Sequence, residues 1–325
     1  MSPRPSEDDL IARFFAPIAG PEGLSLRDDA ALLTPPAGDL VLTKDALVAG
    51  VHFFADDPAG AIARKALRVN LSDLAAKGAE PVGFLLALAL PNDWTADWLE
   101  AFASGLGEDA ALYRCPLFGG DTVKTPGPLM VSITALGRVE SCRMVTRTGV
   151  EAGDALYISG SIGDAALGLQ DRLGRLPSFA PEHREHLLDR YLLPRPRLAL
   201  SAAMAEFAHA GMDVSDGFVG DLAKMLRVSG VSAQVDLARL PLSAAARAVL
   251  AQDPAFFEIA ATGGDDYEIL ASVGPLQAAA FEAAAAKAGV EVTRVGQALA
   301  GLQPPRFLGR DGVEIAFERG AFNHF

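Results

Sequence analysis

Apolar residues along this chain repeat with two periods, and the period sorts most segments into helices and strands. Residues 58–78 read as one long helix. Leu67, Leu71 and Leu74 make its apolar stripe, while Ala66, Asn70, Asp73 and Lys77 fall at i, i+4, i+7 and i+11 on the adjoining face. Pro58 suits the first turn, because the N–H it lacks would be unpaired there; Gly78, with Pro81 beyond, marks the end. Residues 94–113 read as a second helix, with Trp94, Trp98, Phe102 and Leu106 four apart, and residues 7–15 as a short amphipathic helix ending before Pro17. Apolar runs predict strands at residues 30–33, 40–45, 82–90, 129–136, 155–159 and 268–273, with 82–90 of the kind buried on both faces. Phe218, Leu222 and Met225 mark the core face of a later helix, and residues 277–288 form an alanine-rich one.

Strands mixed with helices place the chain in the α/β (α+β) class. The polar, Arg- and Gly-rich stretch 141–153 divides it into an N-terminal domain, residues 1–140, and a C-terminal domain, residues 141–325. Prolines 177, 181, 194 and 196 punctuate an insertion in the second. With 50% hydrophobic and 21% charged residues, the chain is globular and not disordered. A net charge of −13 argues against a nucleic-acid partner, which calls for a basic patch. Cys115 and Cys142 form neither a CxxC metal motif nor a disulfide framework, which fits a reducing compartment. The first residues are polar and acidic, and the longest apolar run is too short to span a bilayer. The expected location is the cytoplasm, with no membrane partner.

The candidate chemistry is narrowed by what the sequence lacks. There is no Walker A pattern, protein-kinase signature, nucleophile elbow or histidine spacing for zinc. What remains is a set of aspartates beside Gly, Ser or Thr: Asp28 and Asp29, Asp45, Asp73, Asp121, Asp213 and Asp216. Clustered carboxylates suit magnesium, a hard cation that joins one or two of them to substrate phosphates. Each motif also has a plain structural explanation. Asp73 could lie on a solvated helix face, Ser215 and Asp216 could be N-caps, and Gly119-Gly120-Asp121 and Gly263-Gly264-Asp265 could be turns. Residues 160–164, which open a helix, are read as a structural turn in preference to an anion site. A Ser-Asp pair followed at a similar distance by Gly-Gly-Asp occurs in both halves, so both are expected to contribute similar acidic loops to one region.

Several stretches together carry a resemblance. They are Asp28-Asp29-Ala30-Ala31-Leu32, residues 45–53, residues 65–79, Gly119-Gly120-Asp121-Thr122 and Thr146-Arg147-Thr148-Gly149, then residues 160–169, Asp213-Val214-Ser215-Asp216-Gly217, residues 263–268 and His324-Phe325. In collinear order over nearly the whole chain, they resemble the thiamine-monophosphate kinase family, in the superfamily of aminoimidazole ribonucleotide synthetase and selenophosphate synthetase. The resemblance implies a two-domain aminoimidazole ribonucleotide synthetase-like fold and a homodimer whose N-terminal domains pair their sheets. It also implies ATP-dependent phosphorylation of thiamine monophosphate to thiamine diphosphate, with several Mg2+ ions as cofactors and ATP as co-substrate.

By motif position, the resemblance implies that Asp29, Thr43, Asp45, Asp73, Asp121, Asp213 and Asp216 hold magnesium, with Asp73, Asp121 and Asp216 most directly catalytic. It assigns Gly120, Asp121, Arg147 and Ser215 to the nucleotide. His52 and Asp265 would face the thiamine, with Phe317, or else Phe322, against its rings. The chain departs from the family pattern at Lys44, where a second hydroxyl residue is usual, and at Arg27, where glycine is usual; Lys44 either supplies charge or points away. The acceptor is an already ionised phosphate, so the expected reaction is direct in-line transfer without a strong base. Selenophosphate synthetase chemistry would need a reactive N-terminal cysteine, and none precedes Cys115. A protein that kept the fold but only binds metal or nucleotide is the other alternative.

Overall fold

The computed structural model describes residues 6–28, 30–34 and 37–317, so Asp29, Phe322, His324 and Phe325 lie outside the described residues. The chain divides into two units, one of Met1–Leu74 and Glu80–Cys142, the other of Ala75–Ala79 and Arg143–Phe325.

The first unit opens with helix α1 (Glu7–Leu10), which runs on as a π-helical turn (Ile11–Phe15) and a 3-10 turn (Ala16–Ile18). The helical path thus continues through Pro17 instead of ending before it, because proline fits the first turn of the new segment. Next come β1 (Asp39–Val48), α2 (Ala59–Ala76), β2 (Glu80–Leu90), α3 (Ala96–Leu112), β3 (Leu117–Lys124) and β4 (Met130–Val139). Among the described residues the sheet order is β1-β4-β2-β3. The β1–β4 and β4–β2 pairs are antiparallel, and β2–β3 is parallel.

Helix α2 starts where expected, its first turn hydrogen-bonded to the Pro58 carbonyl (Ala61 N at 2.9 Å). Leu67, Leu71 and Leu74 are fully buried, each removal from water contributing about 1.5–3 kcal/mol. A buried bidentate pair fastens α2 to α3, with Arg68 Nε 2.5 Å and Nη2 2.9 Å from the Asp109 carboxylate. Thr95 caps α3, accepting from Trp98 N at 3.1 Å.

Three strand-level expectations change. Residues 30–34 form no strand; Leu32 is 70% exposed, and its N–H bonds the Glu22 carbonyl at 2.8 Å, which leaves the run without a sheet partner. Strand β2 is not buried throughout, since Leu85 is exposed. Gly119-Gly120-Asp121 is no turn but the middle of β3, where Gly120 pairs with Leu86 and Asp121 with Ala87. A Cβ on Gly120 (φ +155) would lie 1.8 Å from the Leu86 carbonyl oxygen, so only glycine permits this pairing.

The second unit runs β5 (Ala155–Ser159), α4 (Asp164–Arg172), α5 (Pro181–Leu192), α6 (Ser201–Phe207), β6 (Ala208–Asp213), α7 (Phe218–Ser229) and β7 (Ser232–Asp236). It continues with α8 (Ala244–Gln252), α9 (Phe256–Thr262), β8 (Ile269–Val273), α10 (Ala278–Lys287), β9 (Val292–Leu299) and β10 (Arg306–Leu308). Among the described residues its sheet order is β10-β7-β9-β5-β8-β6, antiparallel except where β10 joins β7. The central strands β5 and β8 are buried at every position. On one face Leu156 and Ile158 pack with Phe218, Leu222 and Met225 of α7. On the other, Tyr157 and Ile269 pack with Phe281 of α10.

The recurring Ser-Asp and Gly-Gly-Asp motifs are not equivalent in structure. Asp73 lies in a helix and Asp121 in a strand, whereas Asp216 and Asp265 lie in loops. No helix among the described residues is long and apolar enough to cross a membrane.

Candidate active site

In the first unit, alternation along β1 turns Thr43 and Asp45 toward α2. The Thr43 hydroxyl donates to Asp73 Oδ2 on α2. Asn70, one turn earlier, is fully buried; its side chain accepts from Asp45 N at 3.2 Å and donates to the Ala66 carbonyl at 3.0 Å. Ala66 and Asn70 of the polar row are therefore buried and Asp73 is partly buried against β1, so this part of α2 is not a solvated face. Burial, and then the Asp73 carboxylate beside it, push Asp45 up to about 6. Among the described residues neither acid has an ion-pair partner. Lys44 points away, reaching Thr134 Oγ1 at 3.3 Å across the strand pair.

His52 follows β1. Its Nδ1 accepts from Val48 N at 3.0 Å, which leaves Nε2 as the N–H of the neutral ring, and its carbonyl accepts from Lys65 Nζ at 3.2 Å. Gly120 and Asp121 lie on β3, at the opposite edge of the sheet from Asp45, about 14 Å away by three strand spacings. Beside them opens a cavity of about 470 Å³, walled by Ile11, Phe15, Leu26 and Leu85.

In the second unit, Asp213 ends β6, buried, and Ser215 and Asp216 follow it. These two do not cap α7; the cap position is Gly217, and Asp221 Oδ2 accepts from Ser215 N (3.1 Å) and Asp216 N (2.9 Å). Lys224 Nζ reaches Asp216 Oδ2 at 2.5 Å and Asp221 Oδ1 at 3.0 Å. Burial disfavours the charge on Lys224, but these two carboxylates outweigh it and raise its pKa. Asp265 lies against the same segment, its N–H 2.9 Å from the Ser215 carbonyl. Arg147 is exposed and its neighbour Thr146 is tied to β6 (Gly211 N to Thr146 O, 3.0 Å). Phe317 packs edge-on against Phe307, ring centroids 5.4 Å apart, at the margin of the core.

The structure thus brings together Thr43, Asp45 and Asp73 in one unit and Asp213, Ser215, Asp216 and Asp265 in the other. Among the described residues no group of three or more His, Cys, Asp or Glu is gathered for a metal. The donors present are nonetheless all hard oxygen, and among the described residues no cation pairs with Asp45 or Asp73. That chemistry fits magnesium, which completes its shell with water and phosphate. Sequence reasoning missed Asp221 and Lys224; the only signal was their three-residue spacing, which puts them on one helix face.

Residues 27–139 match the AIR synthase related protein, N-terminal domain, and residues 151–303 match the corresponding C-terminal domain. The thiamine-monophosphate kinase of Caulobacter vibrioides is 47% identical over 303 residues, covering 91% of this chain and 85% of that protein. The chain belongs to the thiamine-monophosphate kinase family. A solved family structure, from Stenotrophomonas maltophilia K279a, aligns with a TM-score of 0.80 at 40% identity, covering 89% of this chain and 91% of that one. A second, of AaThiL complexed with AMPPCP and TMP, aligns with a TM-score of 0.78 at 28% identity, covering 98% and 94%.

Proposed function

We propose that this protein transfers the γ-phosphoryl group of ATP to thiamine monophosphate, yielding thiamine diphosphate and ADP by direct in-line displacement. The observation that carries this reading is the 47% identity, over 303 residues, with a thiamine-monophosphate kinase. In this reading Asp29, Thr43, Asp45, Asp73, Asp121, Asp213 and Asp216 supply oxygen donors to several magnesium ions. Bound magnesium offsets the repulsion between the two polyanionic substrates. Gly120, Asp121, Arg147 and Ser215 hold the nucleotide, and His52, Asp265 and Phe317 the thiamine. Asp73, Asp121 and Asp216 contribute most to the rate. Because the acceptor phosphate is already ionised near neutrality, the chain needs to orient it and exclude water, not to deprotonate it.

The protein acts as a homodimer in the cytoplasm. Leu40, Leu42, Leu85 and Val123 are exposed on the N-terminal unit, an apolar set that supports pairing of two sheets. Cys115 and Cys142 are both free thiols, in keeping with a reducing compartment.

ADP release is the direct test. It is expected only when ATP, magnesium and thiamine monophosphate are all present, with thiamine diphosphate formed in equal amount and EDTA stopping the reaction. Turnover independent of thiamine monophosphate, or none, overturns the assignment. A chiral γ-phosphate should invert; retention would mean a phosphoenzyme.

A further inference from the structure

Residues 263–268 join α9 to β8 in an unusual path. Asp265 (φ +74) and Tyr267 (φ +51) are left-handed, a conformation that L residues with a Cβ rarely adopt. Asp265 is partly exposed, and Asp266, Tyr267 and Glu268 after it are buried. The Asp266 carboxylate accepts from Gly163 N (2.7 Å) and Ala165 N (3.4 Å), so it occupies the N-terminus of α4 that an outside anion would otherwise use. Glu268 is gripped more tightly still. It accepts from Arg190 Nη2 (3.0 Å), Arg197 Nε (2.6 Å) and Ser159 Oγ (2.6 Å).

Two guanidiniums converge on this one buried carboxylate, and Arg190 Nη1 is buried with no partner among the described residues. Gly160 (φ +55) leaves the space: a Cβ there would lie 2.3 Å from Glu268 Oε1 and 2.4 Å from Arg197 Nη2. From the clamped residue the bonds run to the acidic segment. The Glu268 carbonyl accepts from Val214 N (2.8 Å), Tyr267 N donates to Val214 O (2.8 Å), and Asp265 N to Ser215 O (2.9 Å).

We propose that Arg190 and Arg197 are positioning residues whose shared grip on Glu268 holds the left-handed 265–267 path and sets Asp265 for the thiamine end of the substrate. This rests on the proposed role of Asp265. Arg197 is the variant of choice, because its side chain is a quarter exposed (25%) and its loss leaves Arg190 on Glu268.

In Arg197→Met, hydrogen exchange at the Asp265 and Tyr267 amides should quicken about tenfold while β8 stays protected. KM for thiamine monophosphate should rise about tenfold with KM for ATP within about twofold. Arg197→Lys, which keeps the charge but loses the fork, should fall between. Unchanged exchange at both amides overturns the proposal, as does equal loss toward both substrates with exchange raised throughout the unit. Exchange is read without substrate, so it reports the clamp whatever the chain phosphorylates. If Asp265→Asn leaves KM for thiamine monophosphate unmoved, the role of Asp265 fails. If Asp265→Asn raises it and Arg197→Met does not, the clamp fails.

Discussion

In the N-terminal unit Asp73 accepts from the Thr43 hydroxyl, and neither it nor its neighbour Asp45 pairs with a cation among the described residues, whereas Asp216, Asp221 and Glu268 in the second unit are each bonded to a lysine or an arginine. Both sets include a carboxyl whose charge burial disfavours, Asp45 in the first and Asp221 in the second. In the second unit the chain supplies the compensating charge, and the acids hold loops in place. For the Asp45–Asp73 pair the described residues supply none, and burial, with the Asp73 carboxylate beside it, pushes Asp45 up to about 6. A protein keeps such a pair at a cost in stability when something outside the chain completes it. Two neighbouring carboxylates call for a divalent cation.

The sharpest way to break this comparison is to remove one charge from each set. Asp73→Asn keeps shape and removes charge. We expect turnover to fall about a thousandfold, about 4 kcal/mol of barrier. The melting temperature should stay level or rise, because Asp45 loses its repulsive neighbour. ADP release and a thermal melt measure the two, and an undiminished rate would leave Asp73 without a catalytic part. Glu268→Gln should do the reverse to stability. It leaves the buried Arg190 and the partly exposed Arg197 without their anion, at a cost of about 3–5 kcal/mol read by urea unfolding. Equal signs in the two melts would mean that the units do not differ in this way.

The unevenness of that charge economy also sets what the sequence could reveal. Helix α2 is legible because Leu67, Leu71 and Leu74 recur on one face, and Pro58 and Gly78 punctuate it. The partnership of Thr43, Asp45 and Asp73 is legible only through the family motif, since 30 residues separate Thr43 from its partner. Residues 30–34 look like a strand locally, but a strand needs a neighbour, and none among the described residues pairs with them. Gly119-Gly120 look like a turn, yet the Leu86 carbonyl approaches so closely that glycine is needed within the strand. The Glu268 clamp is the least legible feature. Its arginines lie 78 and 71 residues away along the chain, beyond any periodicity, and nothing in residues 263–268 announces two left-handed residues that carry side chains.

Acidity offers a gentler probe of the same contrast. Asp45 is raised from 3.8 to about 6, so the folded state holds its proton over a range where the unfolded chain has released it. Stability from this group is therefore complete below about 4 and is lost as pH rises through about 6, by about 3 kcal/mol in all. Denaturant melts between pH 4 and 7 should show that fall, and Asp73→Asn should shrink it. Magnesium added at pH 7 should recover part of it, because a cation at the pair favours the ionised form.

Lys224 gives the smallest effect and divides the second unit's acids by role. Its ammonium lies between Asp216 and Asp221 and is 31% exposed, so the ion pairs are partly screened, and Lys224→Met should cost under about 1 kcal/mol. If Asp216 is a metal donor, Lys224 competes with the metal for the same oxygen. Removing it should then lower the magnesium concentration for half-maximal rate by a few-fold, about 1 kcal/mol or less. If Asp216 serves only the loop, the magnesium curve should not move, and only the melt should respond. A magnesium titration of the variant against the parent decides whether the second unit keeps any acid for metal, or spends all of its charge on its own structure.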